Sequence, residues 1–189
     1  MMMIKKEYTR YSLLISDSEL ERRISLIEKL TSKTAYSTKY QITHRTLTRI
    51  IPKGPKSHLP LSVGSPKTFV GIAKFLDKAS SLGLVHGDIH WKNIIDASQP
   101  TLVDWEPCLY QIKSGRPTLM VTYPWIDPID RLENNISIRT DLMCFFRLLT
   151  HQKRRYFNSQ DWINLRSEAQ ERKKPFSFII KSSYLAEAH

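Results

Sequence analysis

Cysteine is scarce in this chain of 189 residues, with Cys108 and Cys144 the two present. Two cysteines so placed make neither a disulfide framework nor a C-x-x-C metal or redox site, which points to a reducing compartment. Glycine is scarce too, and the first of the six is Gly54. Upstream of it no residue has the backbone freedom that a tight, phosphate-cradling turn demands. No apolar run approaches the roughly 20 residues that span a bilayer. Met1-Met2-Met3-Ile4 passes at once into Lys5-Lys6-Glu7. That is not the apolar core of a signal peptide, so a cytoplasmic location is expected. Internal repeats and low-complexity tracts are missing as well.

Acidic residues are in deficit, 18 against 29 basic ones, and the formal net charge is +11. Such a balance asks for an anionic partner: a nucleotide, an acidic protein surface, nucleic acid or a membrane face. The basic residues are dispersed, bunching at Lys153-Arg154-Arg155 and Arg172-Lys173-Lys174. No nucleic-acid module surrounds either bunch, and both read as solvated helix ends. With 41% hydrophobic and 25% charged residues, the composition is that of a folded protein with a real core. The length suits one domain, or two small lobes sharing a cleft.

What the chain does contain is concentrated between Val85 and Glu106, VHGDIHWKNIIDASQPTLVDWE. Leu84-Val85 and Ile94-Ile95 read as short buried strands, and Asp96-Ala97-Ser98-Gln99-Pro100 as a polar turn. Thr101-Leu102-Val103 then returns and sets Asp104 at a strand end. A loop followed by a hairpin brings Asp88, Asn93 and Asp104 toward one place. Two carboxylates and a carboxamide there suit hard, oxygen-loving Mg²⁺, with one carboxylate left as a base.

His86-Gly87-Asp88-Ile89-His90-Trp91-Lys92-Asn93 resembles the catalytic loop of the protein-kinase-like superfamily. Leu102-Val103-Asp104-Trp105-Glu106 resembles its metal-binding strand end, where protein kinases carry D-F-G. The wording is closer to the aminoglycoside- and choline-phosphotransferase branch, with its H-G-D-x-H-x-x-N loop and a metal Asp often followed by Trp-Glu. The resemblance implies that Asp88 accepts the proton of a substrate hydroxyl. It implies that Asn93 and Asp104 hold Mg²⁺ on the phosphates of ATP. The plain alternative is an accidental H-x-D-x-x-x-x-N in a surface turn, which leaves the second Asp behind a strand unexplained. His86 reads as a packing residue that holds the loop. The position of His90 lies near the active site in the resembling branch.

The flanking segments extend the resemblance. Ile4 to Ile15 reads as one or two strands, and Asp17 or Ser18 opens a helix to about Leu30 with Leu20, Ile24, Ile27 and Leu30 on one face. Tyr40 to Thr43 and Leu47 to Ile51 read as strands, and Pro52-Lys53-Gly54-Pro55 breaks the chain. This is the order of a kinase N-lobe from its third strand to its hinge. Lys5 (or Lys6) would then be the lysine that reaches the phosphates and Glu21 its helix partner. Equally, these residues are ordinary solvated charges. Ser65-Pro66 opens a helix whose face is Phe69, Ile72, Ala73, Leu76, Ala79 and Leu82, ended by Gly83.

After Glu106, Pro107 to Asn135 resembles an activation segment, with Trp125 read as a packed anchor and Pro128 followed by Ile129-Asp130 where protein kinases have Glu. An ion pair of the family at that place therefore does not carry over. Arg139 to Leu149 reads as a buried helix, and Asp141 resembles the kinase carboxylate that bonds the catalytic-loop backbone. A polar helix near Ser159 to Arg172, a breaker at Pro175 and a packed Phe176 to Ile180 complete the chain.

The expected fold is α+β, a minimal two-lobed kinase-like arrangement. Residues 1–51 form a reduced N-lobe, 52–65 a hinge and 66–189 a mainly helical C-lobe. The expected activity is transfer of the γ-phosphoryl group of ATP to a protein Ser or Thr hydroxyl. A small-molecule phosphotransferase and a catalytically silent, kinase-shaped binding protein are the alternatives, the latter suggested by the missing glycine loop.

Overall fold

The computed structural model of the chain describes residues 3–9, 17–32, 37–43, 46–52, 66–95, 100–105, 126–133, 136–153 and 159–185. Those residues form a mixed α+β protein with one three-stranded antiparallel sheet, a two-stranded antiparallel hairpin and several α-helices. Strand β1 (Met3–Thr9) leads to α1 (Asp17–Thr31), β2 (Lys39–Ile42) and β3 (Thr46–Pro52). Helix α2 (Pro66–Ser81) follows, then a 3-10 turn at Trp91–Asn93 and the hairpin β4 (Ile94–Ile95) and β5 (Thr101–Leu102). Short α3 (Pro128–Leu132), α4 (Ile138–Lys153), α5 (Ser159–Gln170) and α6 (Pro175–Leu185) complete the described chain.

In the sheet β3 lies between β1 and β2, with Lys5 opposite Ile50, Lys6 opposite Arg49, and Tyr40 opposite Arg49 from the other side. Helix α1 buries the expected stripe of Leu20, Ile24, Ile27 and Leu30. Its acidic first turn (Asp17, Glu19) and basic last turn (Lys29) complement the helix dipole. The end of α1 is tied to β2 by two bonds. Glu28 Oε1 accepts from the Tyr40 N–H at 2.9 Å, and Thr31 Oγ1 accepts from the Thr38 N–H at 3.3 Å.

Helix α2 buries Phe69, Ile72, Ala73, Leu76 and Ala79. Gly71 stands within it because a Cβ there would meet the Pro100 ring at 2.9 Å, so α2 and the start of β5 approach closely. Gly83 takes φ 71°, the Leu84 N–H donates to Ala79 O at 3.0 Å, and the Gly83 N–H donates to Ser80 O at 2.9 Å. This C-terminal motif turns the chain out of the helix axis and into the loop that follows. A single cluster of buried side chains runs from α1 and the sheet through α2 and the hairpin to α4 and α6. Phe145 meets Phe176 edge-on at 5.6 Å, and Phe146 stacks on Trp162 at 4.2 Å.

Three expectations change. Leu84-Val85 is not a strand. Its backbone is taken by the turn after α2, and the next two N–H groups go to a side chain instead of a neighbouring strand. Pro175 does not only break the chain but opens α6, where its missing N–H costs nothing, so the packed segment after it is helical. The third concerns Pro128, which opens α3 with Asp127 as its N-cap. Residues 53–65, 96–99 and 106–125 lie outside the described set. With them go the expected hinge with the Ser65 cap, most of the polar turn, Glu106, Cys108 and the activation-like segment up to Trp125. The side chains of Lys5 and Lys6 lie outside it too.

The start of α6 depends on a residue 99 positions away. Asp77 on α2 accepts from the Phe176 N–H at 2.9 Å and the Ser177 N–H at 3.2 Å, and also from the Ser177 hydroxyl. Asp77→Ala is expected to lower the unfolding free energy by about 1–2 kcal/mol in urea titrations, the worth of a lost helix cap. An unchanged midpoint would mean that solvent serves the α6 N-terminus equally well.

Candidate active site

The loop after α2 is held from beneath by the first turn of α4. Asp141 there is buried, and its two carboxylate oxygens accept from the His86 N–H and the Gly87 N–H, both at 2.7 Å. Gly87 adopts φ 81°, a conformation open to glycine at no steric cost, and so both amides can face one carboxylate. The His86 ring completes the frame. Its Nδ1 accepts from the Asp88 N–H at 3.2 Å, and its Nε2 bonds the Val103 carbonyl at 2.9 Å, which puts the ring proton on Nε2. Trp105 covers the other side of the ring at 4.6 Å and anchors its own indole N–H on Leu102 O at 2.9 Å. Burial pushes the His86 imidazole down to about 4, so the ring is a neutral structural bridge.

That frame brings together three of the expected site residues. Asn93 is buried, and its Nδ2 donates to the Asp88 carbonyl at 2.9 Å and to Asp88 Oδ2 at 3.1 Å. The Val103 N–H donates to Asn93 O at 2.9 Å, so Asp104 stands one residue beyond a direct bond to Asn93. Asp104 takes φ 63°, uncommon for a residue with a side chain. Such a conformation persists only where the surroundings over-determine it, and it is found disproportionately at functional positions. Trp91 fixes the 3-10 turn before Asn93 by meeting Phe69 of α2 edge-on at 5.6 Å.

The sheet adds a residue that the sequence reading missed. Arg49 on β3 is buried and forms an ion pair with Asp104 Oδ1. Its signal was present: it follows buried Leu47 by two positions in an apolar strand, where period-2 alternation puts a lone cation on the core face. The other two expected residues stand apart. Glu21 is solvent-exposed on α1 and forms no ion pair among the described residues. Lys5 is known by its backbone alone, in register with Ile50.

Asn93 commits its amide nitrogen to Asp88, so its carbonyl oxygen is the atom left for a cation. Asp104 meets Arg49 through Oδ1, which leaves Oδ2. Among the described residues no cluster of three or more His, Cys, Asp or Glu side chains gathers. The Asn93 amide oxygen and Asp104 Oδ2 are hard oxygen donors of the kind Mg²⁺ takes when phosphate and water supply the rest of its shell. No family model matches the chain, and no curated protein matches it either.

A second polar cluster braces the start of α4. Asp130 accepts from the Ser137 N–H at 2.9 Å, the Ser137 hydroxyl at 2.7 Å, the Thr140 hydroxyl at 2.7 Å and Arg139 Nε at 2.8 Å. Burial works to raise its carboxyl, but these donors outweigh it and hold the group below its ordinary value. Asp127 pairs with Arg166 of α5, and both are buried. The aspartates on either side of Pro128-Ile129 thus form ion pairs of their own, Asp127 to Arg166 and Asp130 to Arg139.

Asp141 and His86 give opposite pH dependences. Burial pushes the Asp141 carboxyl up to about 7 from 3.8, against the two N–H bonds that favour its charge. The folded chain therefore keeps a proton that the unfolded chain releases, and this contribution to stability falls as pH rises from about 4 to about 7. His86, lowered to about 4 from 6.5, contributes fully above pH 6.5 and loses its contribution as pH falls toward 4. In Asp141→Asn the histidine slope is no longer opposed by a raised carboxyl. Its urea midpoint is expected to drop more steeply than the wild type's between about pH 6.5 and 4. Parallel profiles would show that Asp141 is ionised in the folded chain throughout. Asp141→Ala, which strands buried N–H donors, is expected to cost roughly 1–3 kcal/mol at pH 7.

Proposed function

We propose that the chain is a kinase-like phosphotransferase of minimal, two-lobed form. In this reading it moves the γ-phosphoryl group of ATP to a hydroxyl, with a protein Ser or Thr as the acceptor. The observation that carries the reading is the contact of Asn93 Nδ2 with Asp88 Oδ2 at 3.1 Å, beside a hairpin whose end presents Asp104. One carboxylate is thereby held by the Asn93 amide, and Asp104 follows one residue after the Val103 N–H that bonds Asn93. The Asp141 clamp under the loop supports the protein-kinase side of the reading, because it fixes the backbone that carries Asp88.

In the reaction the substrate oxygen attacks the γ-phosphorus, a new O–P bond forms, and the bond to the β–γ bridging oxygen breaks. The electron pair of that bond leaves with ADP, and the hydroxyl proton passes to Asp88. Mg²⁺, when bound, neutralises charge on the phosphates. Asn93 and Asp104 would hold it there, and Asn93 would at the same time keep Asp88 in line. Most of the rate gain then comes from orientation and fixed charge, since little covalent chemistry falls to the protein.

A small-molecule acceptor is the second reading, favoured by His90, whose Nε2 lies 3.3 Å from Asp88 Oδ2 at the place where an acceptor would dock. Transfer from γ-labelled ATP separates the two, since label appears either in protein bands or in the small-molecule fraction.

Asp88→Asn keeps the volume and removes the proton acceptor. Mg²⁺–ATP binding is expected to persist, while transfer drops by a factor on the order of 10² or more. Equal transfer by wild type and variant would remove Asp88 from the chemistry. Asp104→Asn, whose amide oxygen still accepts from buried Arg49, is expected to weaken Mg²⁺-dependent ATP binding sharply, as read by calorimetric titration with and without the metal on a variant whose fold is checked by its urea midpoint. Unchanged affinity would place the metal elsewhere.

A further inference from the structure

His90 makes two different contacts with its two ring nitrogens. Nδ1 accepts from the Lys92 N–H at 3.2 Å, which caps the 3-10 turn Trp91–Asn93. Nε2 lies 3.3 Å from Asp88 Oδ2. An imidazole that accepts at Nδ1 carries its proton on Nε2, so the N–H bond belongs to the edge that faces the carboxylate. Asn93 Nδ2 reaches the same oxygen, Asp88 Oδ2, at 3.1 Å. Asn93 therefore donates to Asp88 Oδ2 from one end of the short turn, and the Nε2 edge of His90 lies beside the same oxygen from the other end.

We propose that His90 is a positioning residue for Asp88, the backbone cap at Nδ1 setting the tautomer whose Nε2–H, with Asn93, holds the Asp88 carboxylate in its reacting orientation. The inference rests on the phosphotransferase reading and adds to it a residue with no part in the metal or in the proton transfer itself. At 3.3 Å the Nε2 edge is close to Asp88 Oδ2 without a hydrogen bond formed, and the proposal has that bond form as substrate closes the site. Its geometric value lies in rotation: one donor leaves a carboxylate free to swing about its bond to Cβ, while two donors from fixed backbone points do not. A misplacement of about 1 Å at a reacting group costs on the order of 10²-fold in rate.

The two contacts of His90 can be removed one at a time. His90→Asn keeps an acceptor at the δ position, so the Lys92 cap survives, but it has no atom that reaches Asp88. His90→Gln keeps an N–H at the ε position and loses the δ acceptor. A residue that acted through the turn alone would tolerate Asn and suffer from Gln. The proposal expects the reverse for catalysis. His90→Asn should retain the melting temperature and the KM for ATP while kcat falls roughly 10- to 100-fold. His90→Gln should melt at a lower temperature yet recover most of the lost kcat.

The experiment is steady-state transfer from γ-labelled ATP with the full chain and both variants, alongside thermal melts and ATP titrations. A His90→Asn kcat equal to the wild type's overturns the proposal and leaves the phosphotransferase reading standing. So does a loss in both variants that tracks melting temperature. Absence of transfer by the folded, ATP-binding wild type overturns the phosphotransferase reading and the role of His90 with it. Those failures differ in the wild-type lane and cannot be confused.

Discussion

Asp141 carries two loads at once. As a carboxylate in the first turn of α4 it lies at the positive end of the helix dipole. As an acceptor with both oxygens engaged, it holds the amides of His86 and Gly87, 55 and 54 residues earlier in the chain. Without it the loop would bury two N–H donors with no strand or helix to receive them. From that clamp the remaining contacts follow in order. His86 is placed to bond Val103, Val103 bonds Asn93, and Asn93 bonds Asp88, which returns to His86 through its own N–H. The circuit closes on itself, and its rigidity derives from a helix whose described side chains between Thr140 and Leu149 are mostly buried.

Among the described residues, buried and half-buried charges join distant parts of the chain at Arg49 with Asp104 and Asp127 with Arg166, and Asp130 pairs with Arg139 closer by. Such pairs give little net stability, since desolvation offsets most of their attraction. What they do is penalise alternatives, because separating the partners strands a charge away from water. The Arg49–Asp104 pair has a further consequence. Arg49 sits at 5% exposure and Asp104 at 35%, so the sheet side of the pair is sealed while the hairpin side faces solvent. Any cation that engages Asp104 must share that carboxylate with Arg49, and the sheet and hairpin are thereby coupled at the candidate site.

The neutral state of His86 shows how packing selects a chemical role. A histidine between an aspartate and a backbone carbonyl could in principle move protons. Here Trp105 and the hairpin exclude water from the ring, and burial holds it uncharged across the physiological range. His90, four residues on, is partly exposed and has one ring edge turned to Asp88. Two histidines in one loop thus divide into a frame and a contact, according to how much solvent each retains.

Helices α1, α2 and α4 were legible in the sequence because their apolar residues recur at the helical period, and the hairpin was legible because Asn93 and Asp104 flank two short apolar runs. Local chemistry alone determined these elements, and it also assembled Asp88, Asn93 and Asp104, which lie within 17 residues of one another. A resemblance to a known loop singled out Asp141, which no periodicity marks. The Arg49 partner of Asp104, the Asp77 cap of α6 and the Arg166 partner of Asp127 arise only when the elements pack, from segments 55, 99 and 39 residues apart. A buried polar group must find a partner wherever the fold puts one, and sequence spacing does not encode which distant residue that will be. Periodicity thus set the elements and the reach of the loop. Which charges meet was decided by the tertiary structure, because desolvation is a property of the assembled interior and not of any local stretch.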